Sequence, residues 1–145
     1  MKNIFSKIQA TLLYLKASSC LGKGDFDKVI ELALKAKALW PQCFHAHLLL
    51  CSAYEQSKQY GALKEAAKEA LSLAPEYPEF GGQFNGFMVV ALYHTKGSLE
   101  EALPYCAKYL KDWRPINKQL GKMVGCNDEL YQWIKNVSES RQWRA

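Results

Sequence analysis

The chain repeats itself at a spacing of 34 residues, and no other feature constrains its fold as strongly. The stretch GDFDKVIELALKAKALWP from Gly24 lies over KQYGALKEAAKEALSLAP from Lys58. The overlay pairs Cys20 with Tyr54, Phe26 with Tyr60, Val29 with Leu63 and Ala33 with Ala67. It also pairs Ala36 with Ala70, Leu39 with Leu73 and Pro41 with Pro75. A further offset of 39 reaches Tyr93, Gly97, Leu99, Ala102, Cys106 and Tyr109. Small residues meet small ones, and large apolar residues meet large ones.

Each unit reads as two helices. Phe26, Val29, Ile30, Ala33, Ala36 and Leu39 follow the three-and-four spacing of an amphipathic helix. Gly22 and Gly24 form the turn before it, and Pro41 closes it. Tyr60, Leu63, Ala67, Ala70, Leu71 and Leu73 repeat the pattern up to Pro75. Ser98-Leu-Glu-Glu101 opens the third such helix as a capping box, in which serine and glutamate satisfy free amides reciprocally. No stretch alternates with period two in strand-forming residues, so the expected fold is all-α.

The unit resembles the tetratricopeptide repeat. Ala17, Cys20, Gly24, Phe26, Ala33, Ala36 and Pro41 carry the resemblance. They recur as Cys51, Tyr54, Tyr60, Ala67, Ala70 and Pro75, then less fully as Val90, Tyr93, Gly97, Leu99, Ala102 and Cys106. The resemblance implies a right-handed superhelix of stacked helix-turn-helix repeats, one domain over 1–145. Its repeats would cover about 10–43, 44–77 and 83–115, with C-terminal capping helices at about 116–140. Lys16 stands where the family usually has leucine, and Lys58 and Tyr109 stand where it has small residues. The third unit starts five residues late, after Glu76–Gly82, an insertion expected to add a loop or a half-turn of helix. Pro104 should bend the last repeat helix or loosen its first turns.

Stacked repeats leave apolar faces bare at both ends, so terminal elements are expected to cover them. Ile4, Phe5, Ile8 and Leu12 extend the first helix. Leu130, Trp133, Ile134 and Val137 share one face of a final helix after Gly125 and Asn127, and the tail from Ser138 is expected to be loose. No run approaches the ~18 continuous apolar residues of a membrane span. The apolar run Leu12–Leu15 is too short for a leader, and five cysteines without a CxxC pair fit a reducing compartment; a cytoplasmic location is expected.

QCFHAHLLLC, from Gln42 to Cys51, places Cys43, His47 and Cys51 four residues apart on one helical face. A metal site needs further ligands and an open path. In the repeat register, His47, Cys51 and Tyr54 instead face a partner helix, and Cys51 takes the same small slot as Ala17. The reading is therefore structural, with no metal or cofactor implied, and Cys43 is expected to be exposed at the helix start.

No nucleophile elbow, phosphate-cradling glycine loop or HExxH motif occurs, so an enzyme is not expected. Glu65 and Glu69 with Lys64 and Lys68 read as a solvated helix face. Members of the resembled family line a concave groove with their first helices and grip an extended or helical peptide there. The resemblance places that lining at Tyr14, Leu15 and Ser18; at His45, Leu48, Leu49, Ser52 and Glu55; and at Phe84, Phe87, Met88, Ala91 and His94. Some relatives clamp a terminal carboxylate with basic residues and asparagines at these places. This chain carries Tyr14, Ser18, Leu49, Phe84 and Met88 there, so a clamp is not expected.

The expected function is a protein-protein interaction adaptor or chaperone-like module binding a hydrophobic segment. One alternative is a homo-oligomeric scaffold whose groove is filled by self-association. Another is nucleic-acid or anionic-membrane binding through Lys108, Lys111, Arg114, Lys118 and Lys122. The net charge of +5 is not gathered into any run of basic residues, which argues against nucleic acid.

Overall fold

A computed structural model of the chain describes residues 2–97, 101–105, 108, 133 and 136. Among the described residues five α-helices follow one another: α1 (Lys2–Gly22), α2 (Phe26–Leu39), α3 (Phe44–Gln56), α4 (Tyr60–Leu71) and α5 (Gln83–His94). A 3-10 turn, Pro78–Gly81, precedes α5, and residues 101–105 are helical. The described residues contain no strand. The capping serine Ser98, Cys106, Tyr109, most of the basic set and most of the final apolar helix lie outside the described residues.

Each helix packs against the next, and α1–α3 and α3–α5 contacts tie the odd-numbered helices to one another. Alanine makes this close approach possible. Ala17, Ala33, Ala36, Ala67 and Ala70 are fully buried, as is Cys51 in the slot equivalent to Ala17. Larger side chains, among them Val29, Leu50, Leu63 and Leu92, fill the space between layers. A second, smaller cluster of Ala10, Ala36, Cys43 and Ala46 sits under Leu39 and Trp40.

The three turns that join α1 to α2, α3 to α4, and α5 to the next helix share one hydrogen-bond pattern. Gly24 and Asp25 amides bond to Leu21 and Cys20 carbonyls; Lys58 and Gln59 to Glu55 and Tyr54; Lys96 and Gly97 to Tyr93 and Leu92. The first residue of each pair is left-handed: Gly24 at φ +76°, Lys58 at +60° and Lys96 at +55°. This is the two-bond helix stop that satisfies the last free carbonyls. Asp25 then caps α2, its Oδ1 accepting from the Lys28 amide at 3.3 Å.

The pattern corrects the sequence register. From Tyr54 to Leu92, and from Lys58 to Lys96, the third unit lags by 38 residues, not 39. Ala102, which the offset of 39 pairs with Leu63, is buried as Leu63 is. The inserted Glu76–Gly82 stretch forms a loop carrying the 3-10 turn rather than an extension of the helix. Its Phe80 is fully buried, with ring centroids 5.4 Å from Phe44, 5.4 Å from His47 and 5.5 Å from Phe84. Pro104 lies exposed within the helical residues 101–105.

Three other expectations need correcting. Cys43 precedes α3 but is buried, because Trp40, Leu39 and Ala10 close over it. Glu69 does not serve only its own helix: it accepts from Lys37 Nζ at 2.9 Å, tying α4 to α2. Lys64 likewise pairs with Glu101 at 2.8 Å. Finally, Ile4, Phe5, Ile8 and Leu12 belong to α1 as expected but join neither core cluster of the described residues, and all four are exposed.

Candidate peptide-binding groove

The helical face bearing Cys43, His47 and Cys51 is a packing face. His47 is buried, and its Nε2–H donates to the Pro41 carbonyl at 2.7 Å. The rings of Phe80 and Phe84 stand edge-on to the imidazole. Burial holds His47 below its ordinary pKa and pushes the Cys51 thiol up to about 12. Among the described residues no cluster of three or more histidine, cysteine or acidic side chains is placed to hold a metal.

The residues expected to line a groove divide into two sets. On α1, Tyr14 is half-buried, and Leu15 and Ser18 are exposed. On α3, His45 is exposed, Leu48, Ser52 and Glu55 are half-buried, and Leu49 is buried. The Tyr14 ring stacks on the His45 ring with centroids 4.8 Å apart and planes 25° from parallel. Leu48 packs from this surface onto the main core. The two helices thus meet at the Tyr14–His45 stack in a partly open strip, with Leu15 and Ser18 exposed and Leu48, Ser52 and Glu55 half-buried.

The α5 set is different. Phe84, Phe87, Met88 and Ala91 are all buried, so none lines an open wall. His94 is exposed but stacks flat on Tyr60 of α4, with centroids 3.9 Å apart. Burial, and then Lys58, hold its pKa down. In the 38-residue register, the α5 equivalents of His45, Leu48, Leu49, Ser52 and Glu55 are Gln83, Gly86, Phe87, Val90 and Tyr93. Only Phe87 is common to both sets. Gly86, Phe87 and Val90 are buried, and Tyr93 meets Trp133 edge-on at 5.7 Å. In either register the middle of α5 is covered, and only its end positions, Gln83 in one register and His94 in the other, are exposed.

The sequence reading left out Thr11 of α1, which the 34-residue offset makes the equivalent of His45. It also missed the true α5 register, which the left-handed Lys96 reveals. Glu55 closes the strip toward α4. Burial raises its pKa, and its charge raises that of Tyr60 after the larger effect of burial. A second concavity of about 500 Å³ lies between α2 and α4, floored by Leu50 and Tyr54 and flanked by Leu34, Lys37 and Glu69. No helix among the described residues is long and apolar enough to cross a membrane. Neither the protein-family models nor the curated proteins contain a match to this chain.

Proposed function

We propose that the protein is a non-catalytic interaction module of tetratricopeptide-like build, acting in the cytoplasm as an adaptor or chaperone-like binder. It takes a short hydrophobic peptide or helix across α1 and α3. The observation that carries this reading is the recurring double-bonded turn, together with the serial contacts among α1, α3 and α5. That combination supports a reading as three helical hairpins, the third pairing α5 with the helical residues 101–105, whose leading helices would lie side by side as a superhelical stack of this family requires. The open strip supplies what such a ligand needs. Tyr14 and His45 offer a preformed aromatic platform at low entropic cost, and Leu48 offers apolar area beside it. A terminal carboxylate clamp would need lysine, arginine or asparagine among the strip residues, and none of them is one.

Selection of peptides from a displayed library, followed by fluorescence anisotropy on the best one, tests the assignment. His45→Ala removes one half of the stacked pair, and Ser52→Arg fills the strip. Each should weaken binding at least about tenfold, as central interface positions do, with circular dichroism unchanged. Full affinity in both folded variants would remove the α1–α3 strip from the account.

A further inference from the structure

We infer that the outer face of α1 docks on an anionic lipid surface, a binding site that meets the peptide strip only at Leu15. Ile4, Phe5, Ile8, Leu12 and Leu15 are the exposed large apolar residues of this helix, between 51% and 66% accessible. At 100° per residue they fall within a sector of about 100° on one side of the helix. The opposite side carries Ala10, Leu13, Ala17, Cys20 and Leu21 into the cores shared with α2 and α3. None of the five joins either core cluster of the described residues. Leu15 at its end is shared with the groove strip, while Ile4, Phe5, Ile8 and Leu12 are not.

The charges of α1 decide the occupant. The helix KNIFSKIQATLLYLKASSCLG contains lysines and no acidic residue. Lys7 and Lys16 leave the helix on either side of the stripe, and both are exposed. Lys7 Nζ lies 5.2 Å from the centroid of the half-buried Trp40 ring, which puts an aromatic at the same rim. Glu79 reaches this region only across the cleft it shares with Asn3, Lys7 and Trp40. An apolar sector bearing phenylalanine and leucine between cationic rims matches the boundary between acyl chains and anionic headgroups. Lysine stems lie along the apolar layer while their ammonium groups meet phosphate and carboxylate.

A second copy of this chain fits less well. Five side chains exposed to this degree present roughly 500–600 Å² of apolar surface, at the upper end for a monomer. A stable homodimer takes about 800 Å² from each partner. Pairing along the stripe would also line the seam with lysines from both helices and no α1 carboxylate to offset them.

Vesicle flotation distinguishes the occupants. The whole protein is mixed with vesicles of phosphatidylcholine alone, or of phosphatidylcholine with phosphatidylserine, at low and high salt. The protein should float with the anionic vesicles only, and salt should release it. Phe5→Glu with Leu12→Glu should abolish flotation without changing the circular dichroism or melting temperature, because both positions are exposed. Ile4→Ser with Ile8→Ser provides an uncharged check and should reduce flotation at least tenfold. Lys7→Gln with Lys16→Gln should weaken binding by roughly fivefold per lysine. Absence of flotation, or equal flotation with neutral vesicles, would overturn the proposal. So would a dimer by light scattering that the Phe5→Glu, Leu12→Glu variant dissolves.

Discussion

At the residue scale, the most informative groups are those whose ionisation is expensive in the folded state. Burial depresses His47, so the unfolded chain, with an ordinary value near 6.5, binds a proton that the folded chain resists. The resulting stability is present above about pH 6.5 and is lost as pH falls below it. Chemical denaturation at stepped pH should show stability falling through this window. His47→Gln should reduce the fall, leaving the share from His94, whose pKa burial and Lys58 also depress. Glu55 runs the other way. Its pKa is raised by burial, so its ionisation opposes folding as pH rises past the ordinary value of 4.5, and Glu55→Gln should stabilise the protein at neutral pH. The thiols follow the same logic. With Cys51 pushed up to about 12 and Cys43 raised by burial, the half-buried Cys20 should alkylate first among these three. Peptide mapping after brief iodoacetamide treatment checks the order.

At the scale of elements, the shared turn is the unit that builds the fold, and it is also where two residues are strained. Lys58 and Lys96 adopt left-handed φ values that a side chain disfavours. Lys58→Gly and Lys96→Gly should each raise stability by about 0.5–1 kcal/mol, whereas Gly24→Ala should lower it by about 1 kcal/mol. Urea denaturation measures all three. The insertion makes a different demand. Phe80 fills the space between the starts of α3 and α5, against Phe44, His47 and Phe84. Phe80→Ala should therefore cost about 3–5 kcal/mol, as deletion of a buried ring does. The sequence made helix positions legible because alanine, aromatic and proline positions recur with a helical period. It left the α5 register ambiguous by one residue, because Tyr93 and Gly97 imitate the expected pattern while the turn itself is set by Lys96. Nearly every face of α5 is buried, so its apolar residues carry no periodic sign of which side would face a ligand. The periodic residues Ile4, Phe5, Ile8 and Leu12 on α1 told less still: they read as a cap, yet they lie exposed outside both core clusters of the described residues.

At the scale of the whole molecule, stability is unevenly distributed along α1. Between Asn3 and Gln9 no residue is buried, and the first buried position of the helix is Ala10. In α3, by contrast, Ala46, His47, Leu49, Leu50, Cys51 and Ala53 are all buried between neighbouring helices. Helical segments without tertiary packing are marginal in water, because nucleation is costly and propagation barely favourable. The opening turns of α1 should therefore unwind independently, while α3 exchanges only through global unfolding. Hydrogen–deuterium exchange on the free protein should show amides of residues 5–9 exchanging at least about a hundredfold faster than those of 46–53. Adding phosphatidylserine-containing vesicles should slow the first set and leave the second unchanged, because the lipid surface would supply the packing that the chain itself does not. Equal protection of the two segments in the free protein at low concentration would mean that the early turns of α1 are already held in place. The exposed stripe would then have to be stabilised by something other than a bilayer.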